Sequence, residues 1–185
     1  MNLIRDIVSE TINEKFNQKN QIHLKWEGSK NANIMELTPT ERGTTGELIL
    51  ERYISSINHL ESEEPETRKG DYDVLGHNTM TDNYVTFEVK TATEDQGGGF
   101  QFNGMKIDAE YDYLFCLGIS PNDEYFLVIH KDDLFNPVWM KENIGRKLGS
   151  LYKKKDDGTD TYKLSMCKHN LRPISELSEY LYELI

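Results

Sequence analysis

Residues 69–93 read KGDYDVLGHNTMTDNYVTFEVKTAT. Two runs within it, residues 71–76 and 84–92, alternate apolar and polar side chains with the period of two that marks a strand, and a segment rich in Asn, Thr and Asp separates them. The stretch predicts a β-hairpin with a loose loop, around which the rest of the chain is organised.

Successive strand residues point to opposite faces. Tyr72 and Val74, with Val85, Phe87 and Val89, share an apolar face suited to a core, while Asp71, Asp73, Glu88 and Lys90 share the other. With the turn centred between Met80 and Thr81, paired residue numbers sum to a constant, so Asp73 opposes Glu88 and Asp71 opposes Lys90. Directly opposed side chains have Cβ atoms about 5 Å apart, and two carboxylates held so repel unless a cation lies between them. Mg²⁺ suits the place, because it takes one or two carboxylates, keeps several waters and completes its shell with phosphate oxygens. A lysine two residues after the second carboxylate shares its face, where it is placed to hold or deprotonate a water beside a phosphate. The plain alternative is a charged edge hairpin, in which Glu88 and Lys90 are cross-strand partners of Lys69 and Asp71, each pair worth under about 1 kcal/mol.

Asp73 followed by Glu88-Val89-Lys90 resembles the PD-(D/E)xK nuclease signature found in type II restriction endonucleases, some repair nucleases and junction resolvases. The segments 100–103 (FQFN) and 111–115 (YDYLF) are similar to the stretch downstream of the motif in small restriction enzymes, so the resemblance covers roughly the middle third of the chain. No other Asp or Glu is followed two positions later by Lys, and Tyr72 stands where the signature has Pro. Asp71 is the alternative to Asp73; Asp73 is preferred because Tyr72 and Val74 flank it and the pairing arithmetic opposes it to Glu88. The resemblance implies a Mg²⁺-dependent, sequence-specific endonuclease that hydrolyses phosphodiester bonds of double-stranded DNA. Asp73, Glu88 and the main-chain carbonyl of Val89 would hold the metal, and Lys90 would position or deprotonate the attacking water. It also implies a restriction-endonuclease-like core, a homodimer matched to a palindromic site, and a partner methyltransferase for the same site. In such nucleases an acidic residue on the helix before the hairpin often reaches the metal–water network, and Glu47 corresponds to it, with Glu51 one turn later as fallback. The rivals are a repair or junction nuclease on the same core and a non-catalytic acidic module that binds DNA or protein.

A chain of 185 residues with 37% hydrophobic and 29% charged residues suits one nuclease domain over residues 1–185. Its two cysteines, Cys116 and Cys167, form no disulfide framework, which points to a reducing cytoplasm; no leader and no membrane-spanning apolar run is read. The net charge of −11 opposes nucleic-acid binding, which depends on cationic contacts to phosphates. Lys141, Arg146, Lys147, Lys153, Lys154 and Lys155 nonetheless fall in one short stretch, enough for a local positive surface.

Around the hairpin the pattern predicts an α/β or α+β protein with a mixed sheet flanked by helices. Residues 1–18 place Ile4, Val8, Ile12 and Phe16 at four-residue steps, with Leu3 and Ile7 alongside, as in an amphipathic helix with a packing or dimer face. Residues 21–26 alternate like a short strand, and residues 28–40 read as a polar loop, either a connector or a DNA-facing segment. Thr44 and Glu47 form a capping-box pattern ahead of Leu50, Tyr53, Ile54 and Ile57, so Glu47 is either a cap or a site residue. Residues 60–68 read as an acidic linker.

After the hairpin, residues 94–103 place three glycines before an aromatic–polar alternation. Gln101 and Asn103 carry amides suited to adenine edges, while Phe100 and Phe102 can plug a core; residues 97–106 are a candidate DNA contact on the first reading. Residues 111–119 and 125–130 predict two strands extending the hairpin's sheet, with His130 structural. Residues 148–167 predict a second hairpin with an Asp-Gly turn and a basic arm, either phosphate-binding (within 141–160) or a solvated protective edge. Pro173 starts a C-terminal helix with Ile174, Leu177, Leu181 and Leu184 on one face.

Overall fold

The computed structural model describes residues 3–63, 72–146, 149–151 and 161–185. Helices α1 (Leu3–Trp26) and α2 (Pro39–Ser55) precede strands β1 (Leu60–Glu63), β2 (Val74–Asn78) and β3 (Asn83–Thr93). Next come β4 (Gly99–Lys106), β5 (Tyr113–Ile119) and β6 (Glu124–His130). The short helices α3 (Lys131–Leu134) and α4 (Pro137–Trp139) run into a π-helical turn, Met140–Ile144. The chain closes with β7 (Gly149–Leu151), β8 (Thr161–Cys167), β9 (Arg172–Pro173) and α5 (Leu177–Leu184).

Six strands form a mixed sheet in the order β1-β2-β3-β5-β6-β9, in which β3 and β5 are parallel and the other pairs antiparallel. A parallel pair needs a crossover. Here β4 makes it by leaving the sheet and pairing with β8, which pairs with β7 in a second, three-stranded sheet. The main sheet is therefore covered on both faces. On one side Val74, Val85, Phe87, Val89, Phe115 and Leu117 pack with Leu50 and Ile54 of α2 and Leu177 and Leu181 of α5. On the other, Ala92, Leu114, Cys116 and Ile129 pack with Phe100, Phe102 and Met105 of β4 and Leu164 of β8.

The hairpin forms in the expected register. Val74 pairs with Phe87 and Asn78 with Asn83, a constant sum that places Asp73 beside Glu88. Its loop is tighter than expected: the Asn78 side chain accepts from the amides of Met80 and Thr81, and Asp82 takes a left-handed φ of 57°. Tyr72 departs from the expected face and packs against the second core. Asp71 lies outside the described residues.

Four other expectations are corrected. Residues 21–26 continue α1, because Ile22 and Trp26 stand four apart as well as alternating; Trp26 is buried in the core while Leu24 points outward. A six-residue run cannot separate the two periods. The capping box lies earlier than Thr44: Thr38 caps α2, Glu41 bonds back to its amide, and Thr44 is mid-helix with its hydroxyl on the Thr40 carbonyl. The start of the acidic linker is β1, an edge strand whose Glu61 and Glu63 face solvent, a composition that discourages edge pairing. Pro173 lies in β9 at the sheet edge, where no amide is needed, and α5 begins after one 3₁₀ turn.

The apolar stripe of α1 is largely uncovered: Ile4, Ile7, Val8, Ile12 and Phe16 are all more than half exposed. Residues 28–40 hold a 3₁₀ turn and the start of α2. Asn31 bonds to Ser120 and Glu124 and Lys30 to Glu124, tying this segment to the β5–β6 turn. His130 accepts the Asp132 amide at the start of α3, the structural part expected of it. No helix among the described residues is long and apolar enough to cross a membrane.

Candidate active site

β3 carries the site because its two faces meet different layers. Phe87, Val89 and Thr91 face the helices, whereas Glu88 and Lys90 face the second sheet and lie where it leaves them partly open. On the parallel neighbour, Leu114 stands beside Glu88 and the buried Cys116 beside Lys90, so the bed of the site is apolar.

Asp73 reaches this bed from the strand before. Its amide donates to the Phe87 carbonyl at 2.8 Å, and its Oδ2 accepts the Val89 amide at 2.7 Å. One carboxylate oxygen is thereby pinned to the backbone between Glu88 and Lys90. The Lys90 ammonium then meets three oxygens: Glu88 Oε1 in a very close contact, the Val89 carbonyl at 3.2 Å and Asp73 Oδ2 at 4.0 Å. All three side chains are less than one-third exposed. The same three oxygens are those expected to hold Mg²⁺, and they already gather round one cationic atom.

Burial pushes the Glu88 carboxyl above the ordinary glutamate range; Lys90 opposes the rise, Asp73 adds to it, and Lys106 also opposes it. An ammonium alone does not offset the cost of burying this charge. Burial likewise raises the Cys116 thiol, with Lys90 pulling the other way. Tyr111, just ahead of β5, has a buried hydroxyl without a hydrogen-bond partner among the described residues; burial and the Glu88 charge raise it.

Among the described residues no group of three or more His, Cys, Asp or Glu forms a metal cluster. Mg²⁺ does not need one, since one or two carboxylates suffice beside water and phosphate. The donor set fits it: two carboxylates and a carbonyl, all hard oxygens.

Glu47 is half-buried on α2, one residue beyond Gly46, whose Cα faces Thr91 so closely that a Cβ would come within 1.8 Å of the Thr91 hydroxyl. The helix thus touches the strand at the residue after Lys90, and Glu47 stands beside that contact. Glu51 is also half-buried, one turn farther on. Gln101 and Asn103 are exposed on β4 while Phe100 and Phe102 fill the second core. Lys141 and Arg146 are exposed; Lys147, Lys153, Lys154 and Lys155, and with them the turn of the second hairpin, lie outside the described residues. Two residues escape the sequence reading. Gly46 is signalled by an isolated glycine inside a helical pattern, and Lys106 by the glycine two places before it, which marks a bulge.

No family model and no curated protein matches the chain. Among solved structures, the bacterial homing endonuclease I-Ssp6803I is similar over 71% of this chain and 76% of that chain, with a TM-score of 0.42 and 11% identity. A likeness of that size establishes neither a shared fold nor a family.

Proposed function

We propose that this chain is a Mg²⁺-dependent endonuclease that hydrolyses phosphodiester bonds of double-stranded DNA at specific sites, in the manner of a type II restriction enzyme. The observation that carries the proposal is the gathering of Asp73 Oδ2, Glu88 Oε1 and the Val89 carbonyl round one cationic atom on a half-buried, apolar-bedded strand face. Mg²⁺ bound there would neutralise a phosphate and make water a better nucleophile.

The chain's own residues do the rest. The Val89 amide fixes the Asp73 carboxylate, and the apolar bed of Leu114 and Cys116 thins the water around Glu88, which strengthens its pull on a cation. Lys90, on the same face, orients the attacking water or takes its proton. In this reading Glu47 of α2 assists these residues. A homodimer on a palindromic site and a methyltransferase protecting that site belong to the same proposal.

The test is incubation of the protein with unmethylated plasmid and Mg²⁺. Discrete fragments, absent with EDTA, are expected; random nicking or structure-selective cutting would point to a repair or junction nuclease, and no cleavage to a binding module. Lys90→Ala is expected to lower the rate about 10²–10⁴-fold, the usual weight of general acid–base catalysis, while metal binding persists.

A further inference from the structure

The outer face of the three-stranded sheet carries a chemistry that hydrolysis at the hairpin does not use. On β4, Phe100 and Phe102 point inward and Gln101 and Asn103 outward. Plain alternation would then turn Lys106 inward. A bulge at Gly104, which has a φ of +85° that favours glycine, shifts the phase so that Met105 is buried and Lys106 joins the exposed face. On β8, Ser165 stands directly opposite Gln101 and Lys163 opposite Asn103. The strands of this sheet contain no Asp or Glu, in a chain that has 32 of them against 21 Lys and Arg.

We infer that this face is the base-reading surface of the protein, an antiparallel ribbon of β4 and β8 that enters the major groove of B-form DNA. The inference takes its partner from the nuclease reading and its residues from the face itself. A major groove about 12 Å wide admits a two-stranded ribbon. Side chains two residues apart on one strand face are about 7 Å apart, close to two base-pair steps at about 3.4 Å each, so Gln101 and Asn103 reach different bases. Their amides match the N6 and N7 edge of adenine, and Lys163 matches guanine O6 and N7. Lys106 ends the same face as an exposed cation on strands that carry no Asp or Glu. Lys106 therefore serves the phosphate backbone. Double-stranded RNA does not fit, because its major groove is too deep and narrow for side chains to read.

The test uses the intact protein in EDTA with a labelled pool of random-sequence DNA duplexes, enriched by binding and measured by fluorescence anisotropy. Wild-type protein is expected to enrich an adenine-containing sequence. Gln101→Ala and Asn103→Ala are expected to bind that duplex about tenfold or more weakly, as is wild type when its adenines are N6-methylated. Lys106→Ala is expected to reduce the salt slope by about one. These side chains are exposed, so unchanged thermal midpoints serve as the folding control. Variants that bind the enriched duplex like wild type, or a wild type that enriches no sequence, would overturn the inference. Mg²⁺ added to the same duplexes separates the two readings. Ribbon-dependent binding without cleavage removes the nuclease and keeps the reading face, whereas an unchanged cutting pattern in the ribbon variants does the reverse.

Discussion

Asp73 has two tasks that substitution can separate. Its Oδ2 accepts the Val89 amide, which organises the backbone between Glu88 and Lys90, and its charge supplies a metal ligand. Asp73→Asn keeps an acceptor for that amide, so its thermal midpoint is expected to stay close to wild type while Mg²⁺-dependent cleavage is lost. Asp73→Ala strands the amide and is expected to cost about 1–3 kcal/mol as well, measurable by denaturant unfolding. Glu88 gives a prediction in pH. Because burial raises its carboxyl in the fold, the folded protein holds a proton that the unfolded chain has already released. Stability therefore falls as pH rises from the ordinary glutamate value through the raised one. Thermal melts without metal are expected to show this decline in wild type and a flatter profile in Glu88→Gln. Mg²⁺ binds the ionised carboxylate and so is expected to offset the decline in wild type alone, its affinity rising over the same window.

At the scale of elements, the approach of α2 to β3 at Gly46 sets how closely the helix lies to the site strand. A Cβ there would come within 1.8 Å of the Thr91 hydroxyl, so Gly46→Ala is expected to destabilise by about 1–3 kcal/mol through overpacking. Adding Thr91→Ala is expected to recover much of that loss, a coupling that a double-mutant cycle measures. Which elements are legible in the sequence depends on how local their causes are. The β2–β3 hairpin can be read to the residue because alternation, turn composition and opposed charges agree over one short stretch. The strand-like look of residues 21–26 misleads because Ile22 and Trp26 satisfy both periods, and burial of Trp26 decides for the helix. The pairing of β4 with β8 joins segments some sixty residues apart, and no local pattern announces it; only the glycine at the bulge leaves a trace. The gathering of Asp73 and Glu88 on one face is legible, whereas the apolar bed under Glu88 comes from β5, a parallel neighbour fixed by the whole fold.

For the whole molecule, the main sheet lies between helices on one side and a second sheet on the other, and the candidate site is only partly exposed on the side of that second cover. On the proposed reading, this layering lets a chain of net charge −11 present a surface for DNA. The strands of the covering sheet are free of carboxylates, and two of the molecule's carboxylates, Asp73 and Glu88, are the very ones a metal would neutralise. The most direct measurement is a calorimetric titration of the metal-free protein with Mn²⁺ as a stand-in for Mg²⁺, wild type beside Asp73→Asn at matched thermal midpoint. A site built by the hairpin requires binding to wild type that weakens as pH is lowered, competition by Mg²⁺, and its loss in the variant. Equal binding by both proteins, or none by wild type, would contradict a metal centre at Asp73, Glu88 and Val89.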